Sequence, residues 1–128
     1  MKLREATVDD ARILLEWRND PVTRAMSINP EPIAWETHID WLSRRLSRAQ
    51  PDIYICETDG LPFGTVRIDG DEISYAIGAG FRGKGLATQM LKLAAQRFGR
   101  KRARIKRGND ASARAAANAG HIVEFIED

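Results

Sequence analysis

The sequence predicts an α+β domain: a mixed, mostly antiparallel sheet with helices on both faces. Three observations predict it. Helical and strand periodicities alternate along the chain. Three consecutive strand-like runs in its middle are joined by short Gly-containing turns, as an antiparallel meander requires. A glycine-rich loop then leads from the last of these runs into the cleanest amphipathic stretch of the chain.

The 128 residues have room for one domain, residues 1–128, and no repeat, low-complexity tract or Pro/Ser-rich linker marks a boundary. Twenty Lys plus Arg against eighteen Asp plus Glu leave a charge of +2, which excludes a polyelectrolyte or a disordered tail. The single cysteine, Cys56, excludes an internal disulfide framework and a multi-cysteine zinc site, and it suits a reducing compartment. No apolar stretch approaches the ~20 residues of a membrane helix. The start Met1-Lys2-Leu3-Arg4-Glu5 lacks the apolar centre of a signal peptide, so a cytoplasmic location is expected.

Residues 2–6 form a short extended segment, and Thr7-Val8-Asp9-Asp10 has capping-box form. A helix to Asn19 follows, with Ala11, Leu14, Leu15 and Arg18 at helical spacing; Asp20-Pro21 stops it, because the residue before proline is pushed from helical angles. Asn29-Pro30-Glu31-Pro32 is a loop. Trp35, Ile39, Leu42 and Leu46 then make the apolar stripe of a second helix, with His38, Trp41 and Arg45 on the neighbouring stripe. From Asp52 the period falls to two: Ile53 and Ile55 alternate with Tyr54 and Cys56 up to the turn Asp59-Gly60-Leu61-Pro62. Strands at 63–69 and 72–78 follow, joined by Asp69-Gly70-Asp71. After the glycine loop, Ala87, Met90, Leu91, Ala94, Ala95 and Phe98 stripe a long helix that Gly99 ends. A strand at 103–107, an Ala-rich helix from Asn109 to Gly120 and a strand at 121–126 complete the order β-α-α-β-β-β-α-β-α-β.

The loop Gly78-Ala79-Gly80-Phe81-Arg82-Gly83-Lys84-Gly85 sets four glycines and two cations at the start of a helix. Glycine lets backbone approach an anion, and the unpaired first-turn amides carry the positive end of the helix dipole, so a pyrophosphate suits this place. The spacing fits neither a P-loop nor a dinucleotide fingerprint, and on spacing alone a flexible turn before a capped helix accounts for it equally well.

Arg82-Gly83-Lys84-Gly85-Leu86-Ala87 resembles the Arg/Gln-x-x-Gly-x-Gly/Ala signature of the GNAT N-acetyltransferase family, matching at Arg82, Gly85 and Ala87. That family places the signature after the fourth strand, as here. Asn109, Ser112 and Gly120 match its second landmark, an Asn-x-x-Ser helix start closed by a Gly eleven residues after the Asn. The resemblance implies a shortened GNAT fold in which acetyl-CoA, the co-substrate, lies where the fourth and fifth strands splay. Its pantetheine would pair with the backbone of Tyr75, Ala76 and Ile77, and Asn109 would help to hold that arm. Its pyrophosphate would rest on amides of Arg82, Gly83, Lys84, Gly85, Leu86, Ala87 and Thr88. No metal is implied.

The N-terminal third, through Trp17-Arg18-Asn19-Asp20, Arg24, Met26, Ile33, His38 and Trp41, is similar to acetyltransferases of bacterial pseudaminic-type pathways, which act on an amino group of a nucleotide-linked sugar. That similarity implies an amino-sugar acceptor walled by Trp17, Arg18, Asn19 and Trp41, since aromatic faces beside Arg and Asn donors suit stacking and diphosphate binding. The other reading of the tryptophans is helix packing, and for Trp35, in the apolar stripe, packing is the expectation. Protein N-terminal acetyltransferases of the ribosomal type also open with a Trp- and Asn-bearing helix, so a protein N-terminus is the alternative acceptor. A CoA-binding domain without turnover is the third reading.

Amine acetylation needs a deprotonated amine and often an acid for the departing thiolate. The Tyr that many relatives carry seven residues after the Asn is Ala116 here, and the fifth strand holds no carboxylate. Glu72, near the start of the fourth strand, and His38, which titrates near neutrality, are the candidate catalytic groups. Tyr75 could replace the missing acid, and His121 is expected to be structural. Relatives run through two strands after Gly120 where this chain supplies one, so a second copy or neighbouring domain is expected on the open edge. The cations from Arg97 to Arg107 favour a helix C-terminus and a solvated face; with a charge of only +2 and no interleaved aromatics, a nucleic-acid partner is not expected.

Overall fold

The computed structural model describes residues 1–27, 29–50 and 52–126. Its strands are β1 (Lys2–Glu5), β2 (Ile53–Thr58), β3 (Leu61–Asp69), β4 (Glu72–Ile77), β5 (Arg102–Lys106) and β6 (Ile122–Ile126). Its helices are α1 (Ala11–Asn19), α2 (Pro21–Ala25), α3 (Trp35–Leu46), α4 (Leu86–Phe98) and α5 (Asp110–Asn118), with short 3₁₀ turns at Val8–Asp10 and Ala79–Phe81. The strands lie in sequence order in one sheet; β1 to β4 pair antiparallel, and β4–β5 and β5–β6 pair parallel.

The element order departs from expectation at Pro21. The sequence reading made Asp20-Pro21 a stop, whereas the chain turns there into the additional helix α2. The Asp20 carboxylate accepts the Val22 and Thr23 amides at 3.1 Å each, and Pro21, which has no amide to leave unpaired, sits in the first turn. Thr7 forms the expected capping box, with its own amide donating to the Asp10 carboxylate at 2.8 Å. Arg4 clamps Asp10 at 2.8 Å and Glu57 at 3.0 Å, tying β1 to the entry of α1.

A second difference is the β2–β3 turn. Asp59 and Gly60 alone form it, with φ of 53° and 78°, the paired positive values of a two-residue hairpin whose twist matches its strands. Leu61 and Pro62, expected in the turn, belong to β3; Pro62 is accommodated beside the irregularity in register between Cys56 and Glu57.

Burial on both sides of β2 explains how the sheet makes two cores. Ile53 and Ile55 face Ala11, Leu14, Trp17 and Leu42 of α1 and α3. Tyr54 and Cys56 face the other way, into a larger core with Leu91 and Ala94 of α4 and Ala115 and Ala116 of α5. Burial also pushes the Cys56 thiol up to about 11, so it packs as a small apolar group. His121, as expected, is structural: Nδ1 accepts the Lys101 amide at 3.1 Å and Nε2 donates to the Leu91 carbonyl at 2.9 Å, joining the entries of β5 and β6 to α4.

β6 is the outer strand, with Ile122 and Phe125 exposed. The expected cation run divides among several partners: Arg97 donates to the Leu3 carbonyl and lies over Tyr54, Lys101 reaches the Gly70 carbonyl, Arg104 pairs with Glu72, and Arg107 lies over Phe125.

Gly64 lets α4 approach the sheet. A Cβ there would stand 2.9 Å from the Ala76 carbonyl oxygen, the Ile77 side chain and the Met90 sulfur alike. Gly64→Ala should therefore cost about 1–3 kcal/mol, the range for overpacking a filled core, read as a lower urea midpoint with unchanged slope. An unchanged midpoint would show that the contact is not tight.

Candidate active site

The site begins with a failure of pairing. β4 and β5 run the same way but are in register only at Glu72 and Arg102, and beyond that pair they diverge. The wedge opens toward Ile77 and Lys106, and one edge of the backbone at Tyr75, Ala76 and Ile77 has no strand beside it among the described residues. Peptide groups on such an edge hydrogen-bond to whatever extended ligand enters.

Where β4 ends, the chain passes through the glycine loop into α4. Gly78 lies against α1: a Cβ there would stand 2.8 Å from the Trp17 indole nitrogen, and its amide donates to the Phe63 carbonyl at 2.7 Å. Gly83 and Gly85 have φ of 76° and 75°, with nothing within 4 Å of an added Cβ. Gly85 is the N-cap of α4, and no side chain caps the helix. The first amides of a thirteen-residue helix thus open beside two glycines, a fit for an anion.

The side chain of Arg82 has a use that the signature does not name. Its guanidinium donates to the Asp20 carboxylate at 2.6 Å and to the Thr23 hydroxyl at 3.0 Å, pinning the N-terminus of α2 to the loop. This contact and the two amide bonds hold Asp20 below the usual carboxylate range. At the other end of α2, Lys106 reaches the Ala25 carbonyl at 3.3 Å. One short helix therefore bridges from the loop after β4 to the end of β5.

Tyr75 points to the α4–α5 side. Its hydroxyl contacts the Ser112 hydroxyl and the Ser112 carbonyl, the latter at 3.1 Å, so it reaches from one wall of the wedge to the other. Burial pushes this hydroxyl above the ordinary tyrosine value, opposed in part by Ser112. Asn109 caps α5 by accepting the Ser112 amide at 3.4 Å, and Ala116, one helical turn beyond Ser112, is fully buried.

The acceptor-side residues divide. The Asn19 side chain is consumed in structure: it donates to the Ile33 carbonyl and accepts the Ile33 amide, both at 2.8 Å, closing α1 onto the entry of α3. Trp17 is buried against the glycine loop and Trp41 lies between Arg45 and Arg67, each 5.7 Å from its ring. Arg18 donates to the Asn29 carbonyl at 2.7 Å. Trp35, expected in the packing stripe, is instead exposed and walls an open groove of about 560 Å³ with Arg12, Leu15, Glu16 and Asn19. Of the stripe Trp35, Ile39, Leu42 and Leu46 only Leu42 is fully buried, and His38 of the neighbouring stripe is buried with it.

Of the two candidate catalytic groups, His38 is not brought to the wedge. It is buried between Trp35 and Trp41, its Nε2 donates to the Ala11 carbonyl at 2.9 Å, and burial lowers its pKa. Glu72 stands at the closed end of the wedge, 3.7 Å from Arg104. Sequence reasoning named Asp20 in the acceptor-side run and Gly78 in the glycine loop without the contacts seen here, and it missed Thr23. An Asp followed by Pro is a helix start as well as a stop, so Asp20 was within reach; its pairing with Arg82 was not.

A GNAT acetyltransferase domain model matches residues 1–122. The chain belongs to the GNAT acetyltransferase family. That family is an acyltransferase family with acetyl-CoA as co-substrate, and the wedge, the glycines and the uncapped α4 fit that molecule. The ribosomal-protein-alanine N-acetyltransferase of Brucella melitensis is 25% identical, with a TM-score of 0.68 over 94% of this chain and 83% of that one. The yncA structure from Salmonella typhimurium, solved with its cofactor acetyl-CoA, is 25% identical, with a TM-score of 0.72 over 94% and 78%. The uncharacterized protein MJ1062 of Methanocaldococcus jannaschii is 30% identical over 86 residues, 62% of this chain and only 18% of that longer one. Among the described residues, no helix of this GNAT domain is long and apolar enough to cross a membrane.

Replacing Gly85 by Trp forces a side chain onto a backbone with φ of 75° and fills the space before α4. Calorimetry should show acetyl-CoA binding to the wild type and loss of at least 10-fold in affinity in Gly85→Trp, with helix content retained by circular dichroism. Equal affinity would remove the α4 N-terminus from the site.

Proposed function

We propose that this domain transfers the acetyl group of acetyl-CoA to a primary amine of a nucleotide-linked amino sugar. The observation that carries the donor half is the divergence of β4 from β5 beside an uncapped α4. In this reading the backbone of Tyr75, Ala76 and Ile77 aligns the pantetheine arm, and Asn109 borders it. The amides from Gly83 to Thr88, with Lys84, receive the pyrophosphate. Arg82 acts by fixing the loop through Asp20.

The acceptor approaches from the α1–α3 side. Its attack on the thioester carbonyl displaces a thiolate, and the proton for that sulfur comes from the Tyr75 hydroxyl. Tyr75 reaches across from β4 to α5, toward the helix on which Ala116 stands, and its raised pKa keeps it protonated at neutral pH. Glu72 is the candidate base, because its register partner Asp69 belongs to the α3-facing side of the sheet, whereas His38 is enclosed between α1 and α3. The second reading, acetylation of a protein N-terminus, is favoured by the likeness to the Brucella enzyme; a non-catalytic CoA-binding domain is the reading that Ala116 favours.

Thiol release from acetyl-CoA, followed with a panel of UDP-linked amino sugars and N-terminal peptides, separates the three. Release with the sugars alone supports the proposal, release with peptides alone replaces it by the second reading, and no release by the third. In the same assay Tyr75→Phe should lower kcat on the order of 10²-fold, the scale of general acid catalysis, with little change in the KM of acetyl-CoA. Because burial raises the Tyr75 pKa, its proton is lost only as pH rises past the ordinary tyrosine value; this group thus gives no alkaline fall in rate below pH 10. An unchanged kcat in Tyr75→Phe would end its candidacy.

A further inference from the structure

The face of the sheet beneath α1 and α3 is rich in cations, and they are unevenly compensated. Register fixes which side chains share it. Ile53, in the α1–α3 core, is opposite Arg67, and Arg67 is opposite Ser74; on β5, Ala103 and Ile105 belong to the other core, leaving Arg102, Arg104 and Lys106 on this face. Each nearby carboxylate is already engaged: Asp69 is shared by Arg45 and Arg67, Glu72 faces Arg104, and Asp20 holds Arg82. Arg18 and Arg24 pair with no carboxylate among the described residues. Arg24 donates only to the Asn19 carbonyl, at 3.1 Å. Arg18 uses one terminal nitrogen on the Asn29 carbonyl, and its other terminal nitrogen is buried with no hydrogen-bond partner.

A buried donor without a partner on a charged group costs several times what an exposed one does. Burial, followed by repulsion from Arg67 and Arg24, works against the Arg18 charge. Arginine does not deprotonate in proteins, so that penalty persists as unfavourable energy that an anion would relieve. Arg18, at the end of α1, lies near enough to Arg24 of α2 and Arg67 of β3 to be repelled by both, and its unpartnered terminal nitrogen is the donor that an oxyanion with several acceptor atoms would meet.

We propose that Arg18, Arg24 and Arg67 form an anion subsite on the acceptor side, and that it grips a phosphate-class group of the acceptor. The inference deepens the amino-sugar reading and rests on it for the identity of the acceptor, but the anion site stands on the arginines alone. None of the three belongs to the glycine loop or to the first turn of α4. The same arrangement repels polycationic amines.

The test is calorimetric titration of the whole chain with inorganic pyrophosphate while saturating CoA occupies the α4 site. Pyrophosphate should still bind, and Arg18→Gln should weaken it at least 10-fold without altering CoA affinity. Arg24→Gln, on a half-buried side chain, should weaken it in the same direction and serves if Arg18→Gln fails to fold. Displacement of all pyrophosphate by CoA, wild-type affinity in a folded Arg18→Gln, or parallel loss of CoA binding would each overturn the proposal; the last would assign the arginines to the donor. The acceptor reading fails separately: Arg18-dependent pyrophosphate binding with no thiol release from nucleotide-linked sugars leaves the subsite standing and removes that substrate. Turnover of those sugars with an unchanged KM in Arg18→Gln does the reverse.

Discussion

Everything distinctive in this fold depends on the pairing of β4 and β5 at a single register position, Glu72 with Arg102. A continuous parallel ladder would satisfy both strands' backbone and leave no entrance. The antiparallel half, β1 to β4, is held by full ladders, and the β5–β6 pair by five matched positions. The sheet is thus two rigid halves joined at one end, with peptide groups exposed where they part. Burying such groups without partners is costly, so the wedge either stays solvated or is filled by an extended polar chain of the pantetheine kind.

The joint is braced from both faces. On one, Tyr75 meets Ser112, so β4 is tied to α5; on the other, α2 is tied at Asp20 to Arg82 and at Ala25 to Lys106. These contacts are polar, in contrast to the apolar packing that holds α4 against β3 through Gly64. Polar braces at an opening tolerate small displacements at modest cost, because each group can exchange its partner for water or ligand. A close-packed core has no such freedom.

Most of the architecture was legible in periodicity and punctuation. The stripe Ala87, Met90, Leu91, Ala94 and Phe98 fixes α4 and its buried face; the period-two run at Ile53 to Cys56 fixes β2, although burial on both sides was hidden, since alternation of four apolar residues looks the same with one core or two. Pro21 misled because proline both ends one helix and begins another, and only the Asp20 cap distinguishes the cases. Trp35 misled because helical spacing assigns a face but not how completely neighbouring elements cover it. The glycine loop was readable from composition and position together. The proximity of Arg18 to Arg24 and Arg67 was not, because the 48 residues between Arg18 and Arg67 leave no local pattern.

The position of Arg82 bears on how the two halves of the site communicate. The loop proposed to receive a pyrophosphate and the helix proposed to border the acceptor are joined through one guanidinium, whose partner Asp20 is also the cap of α2. An arriving diphosphate and the Asp20 carboxylate are both anions within reach of the same region of positive charge. If Arg82 turned fully to the ligand, Asp20 would lose the strongest of the contacts that favour its charge and α2 would lose an anchor; the amides of Val22 and Thr23 would then hold the cap alone. The geometry instead supplies a second set of donors, the uncapped first turn of α4 with Gly83 and Gly85, so the anion can be met by backbone while Arg82 keeps α2 in place. The proposed division of labour, backbone for the donor and side chains for the acceptor, rests on that one retained ion pair.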